Sequence, residues 1–339
     1  MENILFVMKD SKPLKDNYEA VIVGAGCHGL SLAYNLAKGG LDDILIIDKK
    51  YVGSGATGRN AEGIQIHFES PQLSKLSDIN INIIKNLSNE LNYNLLLHAL
   101  PHLWVYHETE KSDLYQSSDE WIEKSDEITK KEAMEIEPAL YFDSASRILL
   151  KDIMTLRHDA LAWGYLKRAK ELGVQVSQFT ELLDIGIKNK EIDSISTTKG
   201  KIKTNILINA SGISSSHICS MAGVKCPTEP YRLQALVTES LKKYLSSRVV
   251  VNDLVYFFQT LRGETVIAGN MDYTSVNTLN TDLNFIKTGS RNFLKVCPKL
   301  GKLNLLRQWA GLVSQSFDGF PILGPVESVK GFIVDCGWS

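Results

Sequence analysis

The stretch YEAVIVGAGCHGLSLAYNLA, residues 18–37, decides the fold. Residues 18–23 form an apolar, β-branched run that is typical of a strand buried on both faces of a parallel sheet. Three glycines follow at the spacing G-x-G-x-x-G: Gly24, Gly26 and Gly29. From Leu30 onward, apolar residues recur at helical spacing until Gly39 ends the helix. The order predicted is therefore strand, glycine turn and helix.

A second apolar strand, residues 44–47, ends in Asp48, which lies 24 positions after Gly24. Strand, glycine turn, helix, strand and acid in this order are typical of a dinucleotide-binding unit. Gly24 permits the tight turn, Gly26 lets the backbone approach a pyrophosphate, and Gly29 lets the helix pack close to the strand. The helix start offers free N–H groups to phosphate, and Asp48 accepts hydrogen bonds from ribose hydroxyls.

Length, composition and charge exclude several classes of protein. The chain has 339 residues, enough for about two domains. Its 37 basic and 39 acidic residues give a net charge of -2, which does not favour nucleic acid or an acidic membrane surface. Five irregularly spaced cysteines argue against a disulfide framework and a zinc site. Residues 20–37 lack Asp, Glu, Lys and Arg but contain three glycines, a poor membrane span. We expect a cytoplasmic protein with no metal site.

The segment VGSGATGRNAEGI, residues 52–64, takes the place of the helix and strand expected of a nicotinamide-binding domain. With it, the sequence resembles the FAD-dependent amine oxidoreductases of the D-amino acid oxidase superfamily. It is most similar to the beta subunits of heterotetrameric sarcosine oxidase and of dye-linked L-proline dehydrogenase. Further similar stretches, in order, are LRHDALAWGYLKRAKELGVQV, INASGISSSHICSMAG, LQALVTE and RQWAGLVSQSFDGFPILG.

The resemblance implies an α/β fold with two interleaved domains. A Rossmann-like FAD-binding domain is expected in three segments: 18–95, 146–226 and 305–339. An α+β substrate domain, built on an antiparallel-rich sheet, is expected over 96–145 and 227–304, with residues 1–17 as an N-terminal extension. Within the first domain, Asp159 is predicted to cap a helix over residues 160–172, which Gly173 ends.

The resemblance also implies the chemistry, namely hydride transfer from the carbon beside an amine nitrogen to FAD, which gives an imine. The expected substrate is a primary or secondary amino acid such as sarcosine or proline. Besides the three glycines of the turn and Asp48, the residues expected to contact cofactor are Gly55, Thr57, Gly58, Arg59, Asn60, His158, Gly212 and Gly337. For Arg59 the open alternatives are a flavin edge, a phosphate or a structural role.

Four positions bear on catalysis and on a second cofactor. Gln65 stands where related amine oxidases commonly carry arginine, so a cation expected close to the flavin is missing. His67 either partly replaces that cation in catalysis or is structural. Tyr256 either lines the substrate cavity as a catalytic contact or packs within a sheet. In heterotetrameric sarcosine oxidases, the histidine matching His158 carries covalent FMN at the interface with a large alpha-type subunit. The resemblance therefore implies, as a hypothesis, that His158 faces an FMN. The alternative is an ordinary histidine before a helix.

The chain stops at GFIVDCGWS, residues 331–339, which reads as a strand entering a turn. The resemblance implies that a glycine-rich turn and a helix follow, so we expect a fragment or a truncated product. Three functions stay open. They are the catalytic subunit of a multi-subunit dehydrogenase or oxidase, a stand-alone amino-acid oxidase of the same fold, and a truncated flavin-fold subunit without catalysis.

Overall fold

A computed structural model of the chain describes residues 13–64, 70–107, 125–269 and 275–338. The helices among these residues are α1 (Cys27–Lys38), α2 (Pro71–Glu90), α3 (Lys130–Ile136), α4 (His158–Glu171), α5 (Ser215–Met221) and α6 (Leu283–Val296). The strands are β1 (Ala20–Val23), β2 (Ile44–Ile47), β3 (His98–Tyr106), β4 (Asp126–Glu127), β5 (Arg147–Thr155), β6 (Gln175–Ser177), β7 (Leu182–Lys188), β8 (Glu191–Thr197), β9 (Gly200–Lys203), β10 (Ile206–Asn209), β11 (Thr228–Ser240), β12 (Arg248–Val251), β13 (Val255–Gln259), β14 (Glu264–Gly269), β15 (Leu305–Ser316), β16 (Ile322–Pro325) and β17 (Phe332–Cys336). None of the described helices is both long and apolar enough to cross a membrane.

A six-stranded sheet has the order β16-β17-β10-β1-β2-β6. Every neighbouring pair is parallel except β16 with β17. All four residues of β1 and of β2 are buried, as the apolar runs predict. Because parallel strands run in one direction, the glycine turn after β1, Asp48 after β2 and Gly337 after β17 all follow carboxyl ends at one edge of the sheet.

Both faces of this sheet are covered. On one face α1 and α4 pack together over Ile22 and Ile46, with Leu87 and Leu91 from the end of α2. On the other face an antiparallel three-stranded sheet, β7-β8-β9, and α5 enclose a second apolar cluster. Helix α2 has no counterpart among the expectations, although Ser70 accepts hydrogen bonds at its N-cap and Pro71 occupies its first turn.

A second sheet has eight strands in the order β15-β11-β14-β13-β12-β3-β5-β4. Its neighbours are antiparallel except β12 with β3, in agreement with the expected antiparallel-rich sheet. Strands β5 and β15 pair in this sheet, although the predicted segments 146–226 and 305–339 assign them to the cofactor-binding domain. By their pairing, β5 and β15 thus belong to the sheet expected for the substrate domain, and the expected domain boundaries do not follow the sheets. The division into two domains stays a prediction.

The two faces of the eight-stranded sheet differ. Helices α3 and α6 cover one face over Val249, Phe257 and Ile267. Since side chains alternate along a strand, the residues between these point to the opposite face. Cross-strand pairing aligns five of them in one row: Trp309, Ala235, Ala268, Tyr256 and Val250.

Candidate cofactor and substrate site

The glycine turn is shaped by close backbone contacts. Gly24 has φ +115°, and a Cβ there would lie 2.3 Å from the carbonyl oxygen of Ala210. A Cβ on Gly29 would lie 2.0 Å from the carbonyl oxygen of Gly24. Both positions therefore exclude a side chain for reasons of folding alone: Gly24 lets β10 approach, and Gly29 seats α1 against the turn.

Gly26 is different, because nothing in the fold demands a glycine there. Its φ is -80°, which any residue adopts, and the nearest atom to an added Cβ is the Thr57 hydroxyl oxygen at 3.2 Å. Gly26 is also the N-cap of α1 and has no side chain of its own to cap the helix. The Cys27 N–H donates to the Thr57 hydroxyl oxygen at 3.0 Å. Apart from the Cys27 N–H, which Thr57 occupies, the helix start presents its backbone N–H groups and partial positive charge without an N-cap side chain over them.

Asp48 is positioned by two backbone donors at the carboxyl end of β2. Its Oδ2 accepts from the Ala25 N–H at 2.9 Å, and its Oδ1 accepts from the Lys50 N–H at 2.8 Å. Each carboxylate oxygen accepts more than one hydrogen bond, so the group can still accept from ribose hydroxyls. The carboxylate lies next to the glycine turn, as the dinucleotide reading requires.

The small-residue segment 52–58 folds back onto the glycine turn. The Gly53 N–H donates to the Ala25 carbonyl at 2.9 Å, and the Gly58 N–H donates to the Gly53 carbonyl at 2.8 Å. A Cβ on Gly58 would lie 2.3 Å from that Gly53 carbonyl oxygen, so the loop closes only with glycine. Gly55 is exposed, with open space where a Cβ would lie.

Arg59 braces this loop. Its guanidinium donates to the carbonyl of Ser54 and, at 3.2 Å, to that of Gly55. These bonds support the structural alternative for Arg59, and a contact with cofactor stays a prediction. Asn60, the next residue, is exposed at the end of the loop.

Two further predicted cofactor contacts follow neighbouring strands at the same edge of the sheet. Gly212 opens a short 3₁₀ helix, Gly212–Ser214, after β10. Gly337 follows β17, whose Asp335 accepts a hydrogen bond from the Trp338 indole N–H and lies 3.4 Å from the His28 Nδ1. The His28 and Trp338 rings are 4.7 Å apart. The end of β17 is thereby attached to the first turn of α1.

Residues 59–64 cross from the cofactor loop to the open face of the eight-stranded sheet. At one end, the Trp309 indole N–H donates to the Arg59 carbonyl at 3.0 Å. At the other, the Ile64 N–H donates to the Met154 carbonyl of β5 at 3.2 Å. Between them, Glu62 pairs with Arg157 at 2.9 Å. This crossing segment connects the cradle for a dinucleotide with the row that contains Tyr256.

Tyr256 shares its face of the sheet with Arg248, which contacts its ring. Arg248 begins β12 two residues before Val250, so both side chains point to the same face. The Arg248 Cζ lies 4.0 Å from the centre of the Tyr256 ring. Burial raises the pKa of the Tyr256 phenol, and the Arg248 cation offsets part of that rise, so the phenol is a hydrogen-bond donor at neutral pH.

His158 is the first residue of α4, whose N-cap is Arg157. The expected helix over 160–172 thus begins two residues earlier, because Asp159 binds Arg157 and its own following N–H inside the first turn. The His158 Nδ1 is buried without a hydrogen-bond partner among the described residues, and burial lowers the pKa of the ring. Gln65 and His67 lie outside the described residues.

The residues present fit a dinucleotide. The argument rests on the start of α1, where Gly26 places no N-cap side chain over the backbone, and on a carboxylate after β2 that is held by two N–H groups. FAD is the dinucleotide that the resemblance implies, and residues 52–58 fold back onto the glycine turn beside this site.

Three features of this region are absent from the expectations: Arg248, the His28–Asp335–Trp338 contact, and the Trp309 bond to the crossing segment. Each joins residues far apart in sequence. The only local sign is at Arg248, a charged residue at the head of the β-branched run RVVV. A charged residue beside such a run is equally typical of a strand that ends at the protein surface.

The comparisons with known proteins agree with this geometry. The family described as "FAD dependent oxidoreductase" matches residues 19–339. The sarcosine oxidase beta subunit of Rhodobacter capsulatus is 31% identical over 337 residues, covering 96% of this chain and 81% of that protein. The same subunit of Rhizobium meliloti is 28% identical over 335 residues, covering 96% and 80%.

Among solved structures, L-proline dehydrogenase from P. horikoshii superposes with a TM-score of 0.87 at 28% identity, covering 96% of this chain and 89% of that one. Glycine oxidase from Geobacillus kaustophilus superposes with a TM-score of 0.86 at 21% identity, covering 96% and 90%, and supports the fold alone. The predicted fold class and the predicted resemblance are confirmed.

Proposed function

Because the chain belongs to the FAD dependent oxidoreductase family, we propose that it oxidises a small primary or secondary amino acid, such as sarcosine or proline, at the carbon beside the amine nitrogen. Its class as an FAD-dependent oxidoreductase, predicted from the sequence, is confirmed by the family match. The substrate class is supported by two relatives whose names specify sarcosine and L-proline.

One observation carries the proposal. The crossing segment, residues 59–64, is bonded at Arg59 to Trp309 and at Ile64 to β5. The start of α1 would hold the phosphates of a bound FAD, and the crossing segment would connect that site with the sheet face that carries Trp309 and Tyr256. Trp309 and Tyr256 share one row on that face, so a substrate there would be close to both cofactor and protein.

FAD, when bound, supplies the acceptor for a hydride from the substrate carbon. The chain's own part is to hold that carbon in place and to exclude water. The aromatic side chains of Trp309 and Tyr256 provide apolar surface for this. The Tyr256 phenol is protonated at neutral pH, all the more because burial raises its pKa, and is suited to donate a hydrogen bond to the substrate. His67 stays a predicted catalytic contact.

We assign the cofactor-facing positions as follows. The pyrophosphate is expected at Gly26 and the start of α1, and the ribose at Asp48. The remaining predicted cofactor contacts are Gly24, Gly29, Gly55, Thr57, Gly58, Arg59, Asn60, Gly212 and Gly337. The division into an FAD-binding and a substrate domain, and a cytoplasmic location, also stay predictions.

A multi-subunit assembly is the finer part of the proposal. Its support is the match to two beta subunits, each covered at 80% or more of its length. A larger alpha-type subunit would then be the partner. FMN at His158 rests on the R-H-D motif and on one structural feature, the buried Nδ1 that lacks a partner among the described residues.

Anaerobic flavin reduction tests the reaction. The purified, FAD-loaded protein is mixed with sarcosine, L-proline or glycine, and the loss of oxidised-flavin absorbance is followed. Bleaching by at least one amino acid is expected. Glycolate, in which a hydroxyl replaces the amine of glycine, is the matched control and should leave the absorbance unchanged. Bleaching by glycolate alone, or by none of the compounds, would refute the proposal.

Purification from the native source tests the assembly. Co-elution with a larger subunit is expected, and a lone chain that carries only FAD would exclude the complex. Mass spectrometry of the denatured complex tests the linkage at His158. A peptide containing His158 should carry the mass of FMN, and an unmodified peptide would exclude covalent attachment.

A further inference from the structure

Three of the five cysteines lie together in one apolar cluster beside the six-stranded sheet. Cys219 lies in α5, Cys226 lies in the loop between α5 and β11, and Cys336 is the last residue of β17. The Sγ atoms of Cys226 and Cys336 are 3.4 Å apart, although the two residues are 110 positions apart in sequence. Among the described residues, these thiols included, no group of three or more His, Cys, Asp and Glu side chains is arranged to hold a metal ion. The contact is thus one between two reduced thiols from distant segments.

The hydrogen bonds around Cys226 favour its thiolate. The thiols of Cys219 and Cys336 donate to its sulfur, and these bonds lower the pKa of Cys226. Burial opposes them, and a side-chain hydrogen bond from Thr228 adds to them. The same contacts raise the pKa values of Cys219 and Cys336. The Asn209 Nδ2 donates to the Cys219 sulfur at 3.3 Å, which leaves the Cys219 S–H directed at Cys226. Cys226 is therefore the thiol of this group that ionises first, and the thiolate is the nucleophilic form of cysteine.

Cys226 is also the most accessible of the three. It is 8% exposed, whereas Cys336 is 1% and Cys219 0% exposed. Both of its neighbours in the loop, Lys225 and Pro227, are exposed. A small oxidant that reaches this loop from solvent therefore meets the Cys226 sulfur before the other two.

We propose that Cys226 and Cys336 form a modification site, which hydrogen peroxide converts into a disulfide in the folded protein. The Cys226 thiolate attacks one peroxide oxygen, so an S–O bond forms, the O–O bond breaks and hydroxide leaves. The resulting sulfenic acid at Cys226 has lost two electrons to the peroxide. Cys336 gives up its proton and attacks that sulfur, so the S–S bond forms, the S–O bond breaks and a second hydroxide leaves. With the protons of the two thiols, the two hydroxides become water.

A small movement separates the reduced pair from the bond. The two sulfurs have to approach by about 1.4 Å, from 3.4 Å to the length of a disulfide, about 2.05 Å. Cys336 is held in β17 by its pairing with Ile322 of β16. Cys226 lies outside the helices and strands, so it can move without breaking a strand ladder. The loop is therefore the part expected to move toward the strand.

The bond would attach the loop before β11 to the end of β17, next to predicted cofactor contacts. Gly337, one of those contacts, directly follows Cys336. Because the cross-link spans 110 positions, it restricts the unfolded chain, and the oxidised protein should have a higher thermal midpoint than the reduced one. Buried cysteines that only fill space behave as small apolar side chains and stay reduced until the protein unfolds. The site does not depend on which substrate the protein oxidises.

Controlled oxidation of the FAD-loaded protein tests the site. The protein is treated with hydrogen peroxide, remaining thiols are blocked with N-ethylmaleimide, and unreduced peptides are identified by mass spectrometry. A peptide pair joined through Cys226 and Cys336 is expected, with the loss of two of the five thiols and their recovery in dithiothreitol. With dimedone present during oxidation, the sulfenic acid should be captured at Cys226.

Cys297 is the matched control, because it is as buried as Cys336 but lies in the core of the other sheet, where burial raises its pKa. Cys226 should react at least about tenfold faster, since each unit of pKa changes the thiolate fraction about tenfold. Cys226→Ser and Cys336→Ser should each abolish the linked peptide, whereas Cys219→Ser and Cys297→Ser should keep it. The peptide map of the wild type needs no variant, so a variant that fails to fold leaves the test intact.

Four results would overturn the site. One is oxidation of Cys297 at the same rate as Cys226, which would show that peroxide reacts with unfolded chains. The others are a Cys226 that stays reduced in peroxide, a bond between Cys219 and Cys226, and a dimedone adduct on Cys336 alone. A thermal midpoint that stays the same or falls on oxidation would contradict a bond that forms within the native fold.

Discussion

Replacing Gly26 by alanine should separate cofactor binding from folding, because the glycines of the turn differ in what surrounds them. At Gly26, with φ -80°, an added Cβ meets only the Thr57 hydroxyl oxygen at 3.2 Å. Losing glycine at a helix N-cap costs about 1 kcal/mol. Restricting the unfolded chain returns about 0.4–1 kcal/mol. The free energy of unfolding of the apoprotein should therefore change by no more than about 1 kcal/mol.

Gly29→Ala should behave in the opposite way. Its Cβ would lie 2.0 Å from the Gly24 carbonyl oxygen, whereas ordinary contact begins at 3.4 Å. Helix α1 would have to move about 1.4 Å from the turn, the difference between these distances. Overpacking of this kind costs about 1–3 kcal/mol or more, so the apoprotein itself should be destabilised.

The effect of Gly26→Ala on FAD affinity should be larger than its effect on the stability of the apoprotein. A methyl group at Gly26 would lie at the start of α1 and hinder hydrogen bonds from backbone N–H groups to phosphate. Hydrogen bonds to a charged group are worth about 1.5–3 kcal/mol each, so FAD should bind about 10- to 100-fold more weakly. Gly39→Ala, at the other end of α1 with φ -78°, is the control and should bind FAD as wild type does.

Two measurements on each variant decide the matter. Circular dichroism gives the thermal midpoint of the apoprotein, and quenching of FAD fluorescence gives the dissociation constant. The reasoning would be refuted if the Gly26→Ala variant bound FAD with wild-type affinity. It would equally be refuted if Gly26→Ala and Gly29→Ala lost the same stability without cofactor.

The remaining predictions concern two acids. The Glu137 Oε1 accepts from the Ser247 hydroxyl at 2.6 Å, and burial raises the pKa of Glu137. The neutral form is thus favoured in the folded state, so its contribution to stability is lost as pH rises through the raised pKa. Glu137→Gln should be at least as stable as wild type at pH 8 and should lose that advantage in acid. Glu137→Ala should lower the free energy of unfolding by about 1–3 kcal/mol for each donor left without an acceptor. Urea unfolding across pH checks both variants, and a Gln variant less stable than wild type at pH 8 would contradict the reasoning. Asp48→Asn replaces one carboxylate oxygen with an NH₂ group that faces a backbone N–H, so FAD should bind at least about tenfold more weakly. A fluorescence titration measures this, and unchanged binding would show that Asp48 is not part of the site.

The glycine turn and its flanking strands could be predicted because their signals are local. A β-branched run, a fixed glycine spacing and an acid at the end of the next strand each act within a few residues. The structure places all of them as predicted, with β1, α1 and β2 in order and Asp48 bonded to the turn. The family match then confirms the dependence on FAD.

The substrate side could not be predicted in the same way, because it is assembled across the chain. Strands β5 and β15 complete the eight-stranded sheet from segments that adjoin cofactor-binding stretches. Arg248 acquires its setting from Gly63, 185 positions earlier, and from Tyr256 on the next strand. Neither partner is visible in a window of sequence, so no local pattern singles out Arg248.

Several features along the crossing segment cost folding free energy, and their proximity is informative. Glu62 has φ +59°, a left-handed conformation unusual for its type, and Gly63 has φ +118°. Arg248, against Gly63, carries a charge that no described carboxylate offsets. Strain and unpaired charge persist where the surrounding structure serves a ligand. The positive φ angles of Glu62 and Gly63 and the charge of Arg248 thus lie together beside the Tyr256 ring, on the face of the sheet that the crossing segment reaches.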